Sequence, residues 1–236
     1  DALLKEDEIE MAKDVPYRFG TPFEVQFNLD NSGVWEDVLK GQIWRLSIKS
    51  KDAFSINLLY DRFVLPEGAE LFVYDEEMES VLGSFTYKNN KSHETFSTSP
   101  TKGDVTILEY FEPKGAEFHG EIQINRVVHA YRDIFFNESR GYGDSGSCNN
   151  NVNCPEFDDW QNEVRAAAMI LTGGGSRLCS GSLINNVRQD MTQYFLTANH
   201  CLGGESSWIF MFNYQSAGCS NQDGPTYQTV QGSTLL

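Results

Sequence analysis

Two short segments hold the residues that could do chemistry. His200 closes a β-rich run, Phe195-Leu-Thr-Ala-Asn-His-Cys201, and a second segment, Cys179-Ser-Gly-Ser-Leu-Ile184, lies shortly before it. A serine hydroxyl is a poor nucleophile at neutral pH. It needs a base beside it whose pKa lies near ambient, which is histidine's range. His200 is therefore the candidate general base. The other histidines, His93, His119 and His129, stand alone with no ligand spacing between them, so no metal site is read from them. The acidic run Asp75-Glu-Glu77 with Glu79 reads as a solvated turn rather than a calcium loop. Trp35, Trp44, Tyr60 and Tyr74 could offer a sugar platform, but at strand spacing they read as core.

The elements that must position these residues are strands. Residues 42–50 alternate, with Trp44, Leu46 and Ile48 on one face and Ile43, Arg45 and Ser47 on the other. Further strands are expected at 53–65, 71–75, 81–87, 105–111 and 121–131, punctuated by Pro100, Gly103, Pro113 and Gly120. That spacing predicts an antiparallel β-sandwich over residues 1–140, behind a charged N-terminal segment of one or two helical turns. Downstream, residues 165–171 and 177–184 flank Thr172-Gly-Gly-Gly-Ser176 as a β-hairpin, and 193–198 is another strand. Short strands joined by tight turns suit a small β-barrel over residues 141–236. The expected class is all-β.

Composition divides at the same place. The 236 residues carry 18 Lys+Arg against 34 Asp+Glu, a net charge of −16. An acidic excess of this size repels phosphate backbones, and the basic residues are scattered singly, which argues against a nucleic-acid reader. The longest apolar runs are far shorter than the roughly 20 residues of a membrane-spanning helix. All five cysteines, Cys148, Cys154, Cys179, Cys201 and Cys219, follow residue 140. Five in one small acidic domain point to disulfides and an oxidising compartment, secreted or periplasmic. The Gly-rich segment 140–147 reads as the junction between two domains. No signal peptide is read in the first residues, and Gly232-Ser-Thr-Leu-Leu236 reads as the start of an apolar strand, so the expectation is a sequence that stops inside a domain.

The segments Cys179-Ser-Gly-Ser-Leu-Ile184 and Thr197-Ala-Asn-His-Cys201 together resemble the two motifs around the catalytic histidine of chymotrypsin-like serine proteases. The closer resemblance is to the secreted bacterial lysyl endopeptidase family. Ser145-Gly-Ser-Cys-Asn149 with Cys154-Pro-Glu156 resembles the start of the mature enzyme, and Phe212-Asn-Tyr-Gln215 with Cys219 the segment after its histidine. Asn199 departs from relatives that have Ala or a second His there. The resemblance covers about residues 143–236.

It implies disulfides Cys179–Cys201 and Cys154–Cys219, with Cys148 paired to a cysteine of the protease's second half. A bridge to the residue after His200 would fix that histidine's direction. The resemblance implies a precursor of a secreted serine endopeptidase acting on polypeptides, with no cofactor. Residues 141–236 would be the first barrel of its chymotrypsin-like domain. The triad's aspartate and serine would lie beyond Leu236, leaving this fragment inactive alone. Residues 1–140 would be a pro-domain, an intramolecular inhibitor or folding chaperone, removed near 140–143. Gly143-Asp-Ser-Gly146 looks like the nucleophile motif of trypsins, but it precedes His200 within the junction, against the family order of His, Asp, Ser. Ser145 is therefore not nominated. The alternative is a non-catalytic secreted binding or adhesion protein with a degenerate protease-like domain.

Overall fold

Period-two burial is plainest in the strands of the first half. The computed structural model describes residues 2–10, 16–134, 149–220, 222 and 224–236. After helix α1 (Ala2–Glu10) come β1 (Tyr17–Arg18), β2 (Gly20–Asn28), β3 (Val34–Val38), β4 (Gly41–Lys49), β5 (Ser55–Val64), β6 (Glu70–Asp75), β7 (Val81–Phe85), β8 (Phe96–Ser97), β9 (Thr101–Lys102), β10 (Val105–Pro113) and β11 (Glu121–Ala130). The second half holds α2 (Gln161–Val164), β12 (Ala167–Thr172), β13 (Ser176–Ile184), β14 (Tyr194–Leu196), β15 (Ile209–Phe212) and β16 (Thr229–Gln231). The protein is all-β in its sheets, and every strand pair is antiparallel.

Two sheets make a sandwich. One runs β3-β4-β10-β6-β7, the other β2-β11-β5-β8 with β9 also on β5. Alternate residues Thr106, Leu108 and Tyr110 of β10, and Trp44 and Ile48 of β4, are buried. They meet Ile56, Leu58 and Tyr60 of β5 and Ile122 and Ile124 of β11 in one apolar core. Trp44 and Tyr60 are thus core residues; Trp44 also donates its indole N–H to the Ser32 carbonyl at 2.7 Å. Trp35 packs partly buried against the same cluster. Asp75 caps its acidic turn, accepting the backbone N–H groups of Glu77, Glu79 and Ser80, while Glu79 pairs with Lys102 at 2.8 Å.

β5 departs from simple alternation, because Ser55 to Tyr60 are all buried. Ile56, Leu58 and Tyr60 fill the sandwich. Asn57 and Leu59, on the opposite face, meet Gly173 of the second half. A third sheet, ordered β1-β13-β12-β15-β16 with β14 on β13, carries that half. It takes its first strand from before the sandwich. β2 and β3, absent from the expected strands, are largely exposed outer strands; in β2 Phe23, Val25 and Phe27 do alternate with Glu24 and Gln26, a period-two signal that the expected strands leave out.

α1 and β1 are tied down by one carboxylate. Asp7, with a side chain only 7% exposed, accepts from Arg18 Nε at 3.0 Å, Tyr131 Oη at 2.8 Å and Arg132 Nη2 at 3.1 Å. Burial pushes its pKa up, but the hydrogen bonds from Tyr131, Arg18 and Arg132 together outweigh it and hold Asp7 below the usual carboxylate range. The same burial and Asp7 push Tyr131 up to about 12. A depressed folded-state pKa gives stability that is present above the unfolded value of about 3.9 and is lost as pH falls through the folded one. Asp7→Asn should therefore cost about 2 kcal/mol at pH 7 and progressively less below about pH 4. Urea unfolding of both proteins at neutral and acid pH measures this, and a cost that does not shrink in acid would contradict it.

Candidate active site

β13 has one edge filled by β12 over most of its length, from Ser176 to Ser182. The opposite edge is shared: β1 pairs with Arg177 and Ser176, and β14 with Ser182, Leu183 and Ile184. The stretch between them faces the loop that carries His200. After Leu196 the chain leaves the sheet, and Thr197 Oγ1 donates to the Ser180 carbonyl at 2.9 Å. Asn199–Cys201 then forms one 3₁₀ turn, with Cys201 N–H on the Ala198 carbonyl at 3.0 Å. A disulfide returns the loop to the strand, Cys179 to Cys201, with Cα atoms 6.2 Å apart.

The backbone around His200 is therefore fixed on both sides, while the histidine itself is exposed. Gly181 completes the fit. A Cβ there would lie 2.4 Å from the Leu196 carbonyl oxygen, so only glycine lets β14 lie against β13. The second bridge, Cys154 to Cys219, holds the start of this half against the loop after β15, helped by Asn151 Nδ2 on the Cys219 carbonyl at 3.0 Å. Tyr214, from the Phe212-Asn-Tyr-Gln215 segment, lies under the Arg177 guanidinium at 5.6 Å.

His200 opens on a pocket of about 660 Å³ with Met169, Arg177, Leu178, Cys179 and Ser180 on its walls. Pro16 and Tyr17 of the first half line it too. Pattern reasoning missed both of these, since nothing local in the sequence joins residue 17 to residue 200. Among the described residues, the one trio of metal-capable side chains in mutual reach is Cys179, His200 and Cys201, and its two sulfurs are already bonded to each other. The remaining histidines are dispersed: His93 Nδ1 meets Thr95 Oγ1, His119 Nδ1 meets Glu112, and His129 Nδ1 meets Ser50, each at 2.8 Å. Cys148 and Ser145 lie outside the described residues.

Residues 142–236 match the family model described as lysyl endopeptidase, C-terminal domain. This supports kinship with a protease family over the part of the chain that holds His200 and both disulfides. Such a family acts on polypeptides, and two disulfides are compatible with an extracellular location. No helix among the described residues is long and apolar enough to cross a membrane.

The lysyl endopeptidase-like half depends on the close approach at Gly181. Gly181→Ala should destabilise it by roughly 2–4 kcal/mol, since a backbone oxygen must move to admit the methyl. Thermal unfolding followed by amide exchange in β14 tests this. An unchanged midpoint with β14 still protected would show the contact to be slack.

Proposed function

We propose that the chain belongs to the precursor of a secreted or periplasmic serine endopeptidase. In this reading residues 141–236 are the first barrel of the catalytic domain, His200 is its general base, and residues 1–140 are a pro-domain cut off near 140–143. The observation that carries it is the anchoring of His200: strand pairing, the Thr197 hydrogen bond and a disulfide to the adjacent residue fix the base while its ring stays open to a pocket. The family match over the same residues supports it.

In this reading His200 accepts the proton of a serine hydroxyl as its oxygen attacks the peptide carbonyl carbon. The histidine then gives that proton to the leaving amine, and repeats the cycle with water to free the acyl group. A base in this role must hold its direction through each proton transfer, and the bridge at Cys201 supports the reading by restraining the backbone that carries the ring. The described residues lining the pocket include Ser180 but no carboxylate. The orienting aspartate and the nucleophile are assigned to polypeptide outside these 236 residues. The first half, which brings Pro16 and Tyr17 to the wall of the pocket, would act as intramolecular inhibitor or chaperone until removed.

Fluorophosphonate labelling tests the assignment. A polypeptide carrying the complete protease domain should label, and His200→Ala should slow labelling by roughly a thousandfold or more. The 236-residue chain alone should not label. Labelling that is undiminished by His200→Ala would remove the histidine from the mechanism.

A further inference from the structure

We propose that the first half of the chain, from α1 through Ile134, is a binding partner of the lysyl endopeptidase-like half, gripping its Gly173-Gly-Gly175 turn, and that it stays seated there after the connecting segment is cut. This deepens the precursor reading and rests on it for the cut itself. The contact is backbone against backbone. Phe19 and Gly20 N–H both donate to the Gly175 carbonyl, at 2.8 and 2.9 Å, and buried Asn57 donates its side-chain amide to the Gly173 carbonyl at 2.8 Å. Tyr17 and Arg18 continue the grip by pairing with Arg177 and Ser176.

The glycines are what permit this approach. Gly175 adopts φ +92°, and a Cβ on it would lie 3.0 Å from the backbone of Gly20 and 2.8 Å from Val128 Cγ1. On Gly173 a Cβ would lie 2.9 Å from the Ser207 carbonyl oxygen of its own half and 3.1 Å from Leu59 Cδ2 across the contact. A hairpin of this length needs one residue with positive φ. That alone does not call for Gly20 and Val128 to lie so close to Gly175 that no side chain would fit between them. The turn is thus shaped for its partner as well as for its hairpin.

Around it the surfaces match in kind. Phe19, Ala130 and Ile134 bury themselves with Leu171, Ile209 and Met211 of the other half in one apolar cluster. To one side, Ser97 Oγ donates to the Ser207 carbonyl at 3.0 Å, Ser99 Oγ to Thr229 Oγ1 at 2.6 Å, and Gln231 Nε2 reaches Ser99 at 3.3 Å. Apolar centre, satisfied polar groups and an added strand are the features of a specific protein interface. None of these contacts depends on the covalent connection. Separation would expose the apolar cluster and return several buried polar groups to water at once.

The test uses the whole chain with a site-specific protease sequence placed within residues 136–147 and an affinity tag at the N-terminus. After cutting, the two pieces should leave a sizing column together at micromolar concentration and be captured together on the tag. Asn57→Ala, which leaves the Gly173 carbonyl without its donor, should weaken that capture roughly ten- to a hundredfold. Ser99→Ala should weaken it less, and Val34→Thr, on an exposed strand far from the contact, not at all. Separation of the pieces on the column, folded or unfolded, overturns the proposal, as does capture insensitive to Asn57→Ala. The readout needs no turnover, so its failure leaves the protease assignment standing, and an unlabelled protease domain leaves this interface standing.

Discussion

One edge of β13 carries everything that matters here. With β12 on its other side, that edge has room for two short partners and a gap. β1 takes the Ser176 end, β14 takes the Ile184 end, and the gap receives the disulfide that holds the loop of His200. A strand edge left open in this way would be a liability, presenting unpaired N–H and C=O groups to any other extended chain. Here the two ends of the edge are filled by segments from opposite ends of the sequence. The first half of the chain and the candidate base consequently meet on the same strand.

That sharing explains the layering. The β2-β11-β5-β8 sheet is covered on one face by the β3-β4-β10-β6-β7 sheet and touched on the other by the Gly173-Gly-Gly175 turn. Buried polar groups need partners, and three near this outer face find them across the contact: Asn57 on a carbonyl of the turn, Ser97 on Ser207, Ser99 on Thr229. Asp7 adds a further fixture, binding α1, Arg18 beside the turn, and Tyr131 and Arg132 after β11 into one charged cluster. β1, only two residues long, could not hold its place on β13 without such support.

Much of this was legible in the residues. Alternation revealed β4, the spacing of Pro and Gly set off β10, the tight triple-glycine turn revealed the β12–β13 hairpin, and the Cys179 and Cys201 segments drew attention to His200. The two bridges seen are the pairs that the family resemblance implies. Three things were not legible. β3 is a short outer strand whose exposure erases the apolar period, whereas β2 carries Phe23, Val25 and Phe27 at period two, a signal that was there to be read. The continuous burial of Ser55 to Tyr60 comes from a neighbour far along the chain, which no local pattern encodes. Gly173 and Gly175 looked like turn residues alone, because a close approach by distant backbone leaves the same mark on a sequence as a turn does.

Amide hydrogen exchange on the intact chain addresses the grip most directly. Phe19 and Gly20 N–H, both on the Gly175 carbonyl, are compared with Leu58 N–H in the sandwich and Ile170 N–H in β12. If the two halves are held as a unit on β13, Phe19 and Gly20 exchange with protection close to that of the core strands. Rapid exchange at Phe19 and Gly20, with Leu58 and Ile170 still protected, would mean that the halves fold separately and touch only in passing.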